Sequence, residues 1–252
     1  MKNKLMILTG ALIVILAISV GLQGRTTNAA GQTVWAFGDS IMAGSVTNQW
    51  RSTAYPTLGA TIPEMAGSLS GTTITNYSIG GSVLRAHPTA PTQMTLKKQI
   101  QNALASTTER PTTAIILIGH NDIYQFAENY NLNDPNSLEL SKWEAVYADQ
   151  ALRDAGVAKV YWITPMPRTT TTQVSDVDSL AIEHRRDWYN EWLSAWLAPQ
   201  GRIIDTRGLL GEKIAATNRS ELANTAFFTG DGLHLNAAGN AQIAPAVAAK
   251  IR

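Results

Sequence analysis

Three side chains carry the parts of an activated serine: a hydroxyl at Ser40, an imidazole at His234, and a carboxylate at Asp231, three residues before the histidine. A serine hydroxyl hardly ionises near neutral pH, so it attacks a carbonyl only when a base takes its proton and a third group orients that base. Asp231 and His234 are close enough for a tight turn to set the carboxylate on one imidazole nitrogen, leaving the other for Ser40. Acyl transfer also needs donors aimed at the oxyanion of the tetrahedral intermediate, each worth a factor of ~10²–10³ in rate. Candidates for this oxyanion hole are the backbone N–H groups of Ser40 and Gly81 and the side-chain amide of Asn121. Glycine at position 81 permits close approach of backbone to substrate and φ angles that other residues resist. Gly80 adjoins it, which leaves open which of the two glycines donates.

Each residue has an ordinary structural role to set beside this one. Ser40 could cap a helix after any strand, Asp231 could serve the turn before Gly232, and Asn121 could make an Asx-turn or a cap. His234 could be a surface loop histidine. The chemical reading therefore depends on whether the chain brings these positions to one place.

Five short apolar, β-rich runs recur along the chain: Thr33 to Phe37, Thr72 to Ile79, Thr112 to Ile118, Lys159 to Thr164, and Arg202 to Asp205. Several are nearly continuous in hydrophobicity, as strands covered on both faces are. Candidate helices lie between them, over Thr57 to Leu69, Thr95 to Ser106, Leu138 to Ala155 and Asp178 to Leu197. A last one runs from Asn236 to Ile251, where Pro245 is expected to kink or split it. Alternating strands and helices imply right-handed βαβ units and one doubly wound parallel sheet, an α/β fold. Ligands bind such sheets beyond the carboxyl ends of the strands. The residues found there are Gly38-Asp39-Ser40, Gly80-Gly81-Ser82, Gly119-His120-Asn121-Asp122 and Pro165 to Thr172, with Thr229 to Asn240 after the fifth strand.

Composition narrows the function class. With 252 residues, 44% hydrophobic and 15% charged, the chain suits a globular core of one sizeable domain. It has no cysteine, which removes disulfides and thiol catalysis. Lys2 and Lys4 precede an uncharged stretch from Leu5 to Gly24, followed by Arg25 and a small, polar run to Ala30. This is the pattern of an export signal, longer than the usual ~7–15-residue apolar core and within the ~17–25 residues that span a bilayer. Residues 1–30 are thus expected to be a signal peptide cleaved near Ala29 or Ala30, or an N-terminal membrane anchor, with the catalytic domain over 31–252 outside the cytoplasm. That segment holds three of the 20 basic residues and none of the 19 acidic ones, so the remainder is slightly acidic. No basic run or aromatic-interleaved basic stripe appears, which argues against a nucleic-acid partner.

The blocks "FGDSIMAG", "NYSIGGS", "IGHND" and "DGLHLN" occur in this order over Val34 to Asn240. In that order the chain resembles the SGNH hydrolases, the lipase and esterase superfamily also called GDSL. The resemblance implies Ser40 as nucleophile and Asp231 and His234 as its partners, with Ser40, Gly81 and Asn121 as the oxyanion hole. It also implies a three-layer α/β/α sandwich with a five-stranded parallel, flavodoxin-like sheet, and no metal or organic cofactor. The first block reads Gly-Asp-Ser-Ile rather than Gly-Asp-Ser-Leu, which leaves the chemistry untouched. Asp39 is expected to pin the turn that presents Ser40, Asp122 to brace the third-block turn, and His120 to line the pocket.

The implied activity is an exported serine esterase, acting as a monomer through an acyl-enzyme on small-molecule or glycan-linked esters. A histidine base implies activity rising as pH climbs through the imidazole range. Substrate choice falls to the loops Tyr124 to Ser137, with Tyr124, Phe126 and Tyr130, and Met166 to Ser175, with Arg168 and four threonines. The polar second loop favours short-acyl or carbohydrate-linked esters over the lysophospholipase or lipase alternative. An inactive surface binding module is a third reading, which turnover of an activated ester would exclude. A two-metal phosphoesterase is disfavoured, because its Asp-x-His ligand pair is missing and only His87, His120, His184 and His234 exist to serve it. Trp188, Trp192 and Trp196 recur on one helical face and are expected to pack in the core. His87 is expected in a surface loop rather than against substrate, and His184, one turn before the tryptophans, as a solvated or capped neighbour.

Overall fold

The structure, a computed structural model, describes residues 32–44, 59–86, 91–125, 138–168, 176–211 and 224–252. Residues 1–30, His87, Phe126, Tyr130 and the threonine run at 169–172 lie outside the described residues, as does the side chain of Tyr124. Five strands, β1 (Val34–Gly38), β2 (Ile74–Asn76), β3 (Thr113–Leu117), β4 (Lys159–Ile163) and β5 (Ile203–Ile204), pair in parallel in the order β2-β1-β3-β4-β5. This is the flavodoxin-like order expected. Its direction reverses between β1 and β3, which opens a crevice beyond their carboxyl ends.

Seven α-helices are described: α1 (Ser40–Ala43), α2 (Ile62–Ser70), α3 (Leu96–Ser106), α4 (His120–Gln125), α5 (Glu139–Asp154), α6 (Asp176–Leu197) and α7 (Ala237–Ile251). The period of two along each strand divides its side chains between two cores. Val34, Ala36, Ile115 and Leu117 face Ile62 and Ala66 of α2 and Ile243, Val247 and Ile251 of α7. Trp35, Phe37, Ala114 and Ile116 face Leu96 and Ile100 of α3, Ala145 and Leu152 of α5, and Tyr189 and Leu193 of α6. β1 and β3 are buried along their whole length, which is why they read as continuous apolar runs. Each fully buried Ile, Leu or Phe contributes ~1.5–3 kcal/mol relative to exposure, so the two middle strands are the rigid frame of the site.

Helix starts follow local chemistry. The α2 helix begins later than Thr57, at a capping box in which Thr61 accepts from the Glu64 N–H and Glu64 accepts from the Thr61 N–H, with Pro63 in the first turn. Thr95 caps α3 and Asn236 caps α7. Pro245 does not split the last helix: α7 is continuous through it. Ile243 and Ala244 before the proline and Val247 and Ala248 after it are buried in the same core, and this packing offsets the lost hydrogen bond. None of the described helices is long and apolar enough to cross a membrane.

Candidate active site

At the end of β1 the chain must turn while still lying against β3. A Cβ at Gly38 would stand 2.1 Å from the Leu117 carbonyl oxygen and 2.8 Å from the Met42 Cβ, so only glycine fits. Asp39 then caps α1, its Oδ1 accepting from the Ile41 N–H at 3.1 Å. Its Oδ2 lies 3.0 Å from Nδ1 of His120, whose Nε2 accepts from the Met166 N–H at 2.9 Å. A backbone N–H can only donate, so the ring proton of His120 sits on Nδ1 and points at Asp39. This corrects the expectation for His120. The ring is buried and does not line a pocket; it ties together the chain ends beyond β1, β3 and β4. Asp39 does pin the turn before Ser40, as expected.

The structure brings Ser40, His234 and Asp231 together although 194 positions separate the first two. His234 Nε2 is 2.8 Å from Ser40 Oγ, and His234 Nδ1 is 2.6 Å from Asp231 Oδ2. A carboxylate only accepts, so Nδ1 carries the proton and Nε2 is left to accept from the Ser40 hydroxyl. The other carboxylate oxygen, Oδ1, accepts from the N–H groups of Leu233 and His234, both at 2.9 Å, and from the Thr229 hydroxyl at 2.7 Å. Burial pushes the Asp231 carboxyl up, but the hydrogen bonds from His234 and Thr229 outweigh it and hold the group well below the usual carboxylate range. A fixed anion therefore faces one side of the imidazole and the serine faces the other.

The oxyanion candidates lie on adjoining segments. Gly81 has φ +75°, with nothing within 4 Å of the position a Cβ would take, whereas Gly80 is not in the left-handed region. Only position 81 needs glycine on backbone grounds. Asn121 uses one amide hydrogen to hold the Ser82 carbonyl at 2.8 Å, which leaves its second free for a ligand. Among the described residues the N–H groups of Ser40 and Gly81 donate to no protein acceptor.

Gln99 on α3 also shapes this edge, and it escaped the sequence reading. Its Oε1 accepts from the Gly38 N–H at 3.2 Å, while its Nε2 donates to the Gly38 carbonyl at 2.8 Å and to the Ser82 hydroxyl at 2.7 Å. One buried amide thus fixes the end of the serine strand against the loop of Gly81. The signal was a polar residue on an apolar helical stripe, with Leu96, Ile100 and Ala103 buried beside it. Gln99→Leu strands the Gly38 N–H and the Ser82 hydroxyl in the core, so the variant is expected to lose ~2–3 kcal/mol in urea unfolding. Ester turnover is expected to fall by about 10–100-fold in kcat with little change in KM, because a displacement of about 1 Å at a reacting centre costs that much.

Asp122 does not brace its own turn as expected. It reaches across to the second block, accepting from the N–H groups of Leu84 at 2.8 Å and Arg85 at 3.1 Å and from the Ser141 hydroxyl at 3.0 Å. Burial nevertheless pushes its carboxyl up to about 7, and burial does the same to Glu183 on α6 despite Arg186 beside it. Unfolded, both acids release their protons near pH 4, so over the interval up to pH 7 the folded chain binds more protons than the unfolded one. Their contribution is fully present below about pH 4 and is lost as pH rises through 7. The thermal midpoint is expected to decline between pH 5 and pH 7.5, and Glu183→Gln to flatten that slope. A midpoint that climbs over this interval in both proteins would contradict the assignment.

Trp192 and Trp196 pack against the core beside Tyr189 and Trp162, with Trp192 and Trp196 centroids 5.2 Å apart, while Trp188 is half-buried. His184 is half-buried, and the Arg168 N–H lies 3.4 Å from Glu183 Oε1. Among the described residues no group of three or more His, Asp or Glu side chains converges as a metal ligand set.

Comparison with solved structures finds the same fold. A carbohydrate acetylesterase from Sinorhizobium meliloti superposes with a TM-score of 0.55 at 15% identity, over 87% of this chain and 98% of that one. An acetylxylan esterase from Geobacillus stearothermophilus gives 0.56 at 15% identity, over 88% and 94%. A member of the lipolytic G-D-S-L family from Veillonella parvula gives 0.51 at 19% identity, over 85% and 95%. A search of curated proteins finds no match. The family described as GDSL-like Lipase/Acylhydrolase matches residues 36–242, an interval that takes in the Ser40 turn, the Gly81 loop, Asn121 and the Asp231–His234 turn. The parallel sheet, the four blocks in order and this match over most of its length lead to one conclusion: the chain belongs to the GDSL-like lipase/acylhydrolase family.

Proposed function

We propose that this chain is an exported serine esterase that cleaves carboxylic esters through an acyl-enzyme. The observation that supports it most is the pair of hydrogen bonds running from the Ser40 hydroxyl through both nitrogens of His234 to Asp231. Ser40 Oγ attacks the ester carbonyl while His234 Nε2 takes its proton, and the oxyanion collects on the N–H groups of Ser40, Gly81 and Asn121. The intermediate expels the alcohol, which receives the proton from Nε2. Water then repeats the sequence on the acyl-enzyme, releasing the acid and restoring Ser40. The catalytic domain is the part beyond residue 30, with residues 1–30 as its export segment.

Short-acyl or carbohydrate-linked esters are the preferred substrate class in this reading. The polar residues at Met166 to Ser175 support it, as does the similarity of fold to a carbohydrate acetylesterase and an acetylxylan esterase. The test is a series of 4-nitrophenyl esters from acetyl to decanoyl on purified protein. The highest kcat/KM is expected at acetyl or butyryl, falling at least about tenfold by decanoyl, the factor that ~1.4 kcal/mol of lost transition-state binding represents. A maximum at long chains would replace this reading by the lipase one.

A further inference from the structure

A pocket of about 360 Å³ is lined by Arg85, Leu140, Trp143, Glu144 and Tyr147. Its floor is one face of α5. The opposite face of that helix, with Ser141, Ala145, Ala148 and Leu152, is buried. A helix in this position ordinarily turns charged residues to water. Here Trp143 is 56% exposed and Tyr147, one turn on, is 62% exposed. The core does not need these two rings, and together they form an apolar platform bordered by one cation and one acid.

Both walls of the pocket are anchored to one carboxylate. Asp122 accepts from the Arg85 N–H on one side and from the Ser141 hydroxyl, in the first turn of α5, on the other. It adjoins Asn121 in sequence, and Arg85 follows Gly81 by four residues. Asp122 thereby ties both walls of the pocket to the segments that carry Gly81 and Asn121, and a site held in place before its ligand arrives has a lower ordering cost of binding.

Resting on the esterase reading above, we infer that Trp143, Tyr147, Arg85 and Glu144 form a glycan subsite that holds a neutral pyranose chain while an ester on that chain reaches Ser40. The C–H faces of a pyranose stack on indole and phenol rings, and the ring-edge hydroxyls both donate and accept. Glu144 can only accept and Arg85 can only donate, so the pair matches a hydroxyl-bearing edge. An acyl chain would leave both charges without partners, at a cost that a polyhydroxylated ligand avoids. The volume falls within the ~300–1,000 Å³ range of small-ligand pockets.

Binding is tested apart from turnover, by isothermal titration of the Ser40→Ala protein with xylohexaose, cellohexaose and chitohexaose. At least one is expected to bind, and adding Trp143→Ala or Tyr147→Ala to weaken it about tenfold, the factor that ~1.4 kcal/mol represents. In the otherwise unaltered enzyme, the same substitutions are expected to raise KM for the acetylated hexasaccharide by about the same factor, and to change kcat/KM for 4-nitrophenyl acetate by less than about twofold, as exposed positions do. Both rings lie on the surface, so the variants are expected to keep the parental thermal midpoint. No binding of any of the three glycans would overturn the subsite. So would unchanged affinity in both variants, or a loss confined to decanoyl esters or to self-association in sedimentation. Failure of the esterase reading has a different signature, in which 4-nitrophenyl acetate is not turned over whatever the glycan titration shows.

Discussion

Replacing Ser40 by alanine is expected to lower kcat on 4-nitrophenyl acetate by about 10⁴–10⁶-fold. The substitution takes away one oxygen. Among the described residues the hydroxyl has a single hydrogen-bond partner, Nε2 of His234 at 2.8 Å, and the site is only partly buried, so water can take its place on the imidazole. Stability is expected to stay within about 0.5 kcal/mol. Alanine also keeps the N–H at position 40, so the proposed oxyanion donors survive and the residual rate measures what they achieve without the Ser40 hydroxyl. A serine-directed phosphonate provides a second readout, adding its mass to the parent chain and not to the variant. A variant rate within tenfold of the parent, or labelling of both proteins, would move the nucleophile to another residue.

The layout of the fold was readable because parallel strands buried on both faces must be apolar throughout. The runs at Val34–Gly38 and Thr113–Leu117 stand out for that reason, and the strand ends follow from them. The edge strands were overestimated. Thr72 to Ile79 forms only three residues of β2, and Arg202 to Asp205 only two of β5, each paired on one side alone and along only part of its five-residue neighbour. The short α4 was not foreseen, since His120-Asn121-Asp122 reads as turn chemistry. Its helical form depends on tertiary partners, with Asp122 holding the Gly81 loop and His120 held by Asp39.

Two aspartates lie in the blocks that carry Ser40 and His234, and only Asp231 has a histidine within a few positions in sequence. The structure gives Asp39 a histidine as well, at a similar distance. What separates the two pairs is the far ring nitrogen. In His120 it accepts from the Met166 N–H and is consumed by the scaffold, whereas in His234 it faces Ser40. One Asp–His pair is therefore built as a brace and the other is left open to a hydroxyl. Such a difference depends on contacts between segments more than 40 positions apart, which periodicity and local spacing do not encode.

That open pair makes Asp231→Asn a sharper probe than deletion of the carboxylate. Oδ1 accepts three hydrogen bonds that hold the turn from Thr229 to His234, and an asparagine side chain can keep them only with its carbonyl oxygen in that position. The reverse orientation would point an amide NH₂ at two backbone N–H groups. With the carbonyl held there, the NH₂ replaces Oδ2 and donates to Nδ1 of His234. The ring proton must then move to Nε2, which can only donate toward Ser40 and cannot act as its base. The turn and the nucleophile remain in place, yet kcat is expected to fall by about 10⁴-fold, with KM for a short ester changed far less. Nitrogen-15 chemical shifts of the His234 ring supply the independent check: the protonated nitrogen is Nδ1 in the parent and Nε2 in the variant. A folded variant that retains the parental tautomer, or that works within tenfold of the parental rate, would show that Asp231 does not set the state of the base. Asp231→Ala cannot make this distinction, because it also removes all three turn contacts and confounds loss of the tautomer with loss of the loop.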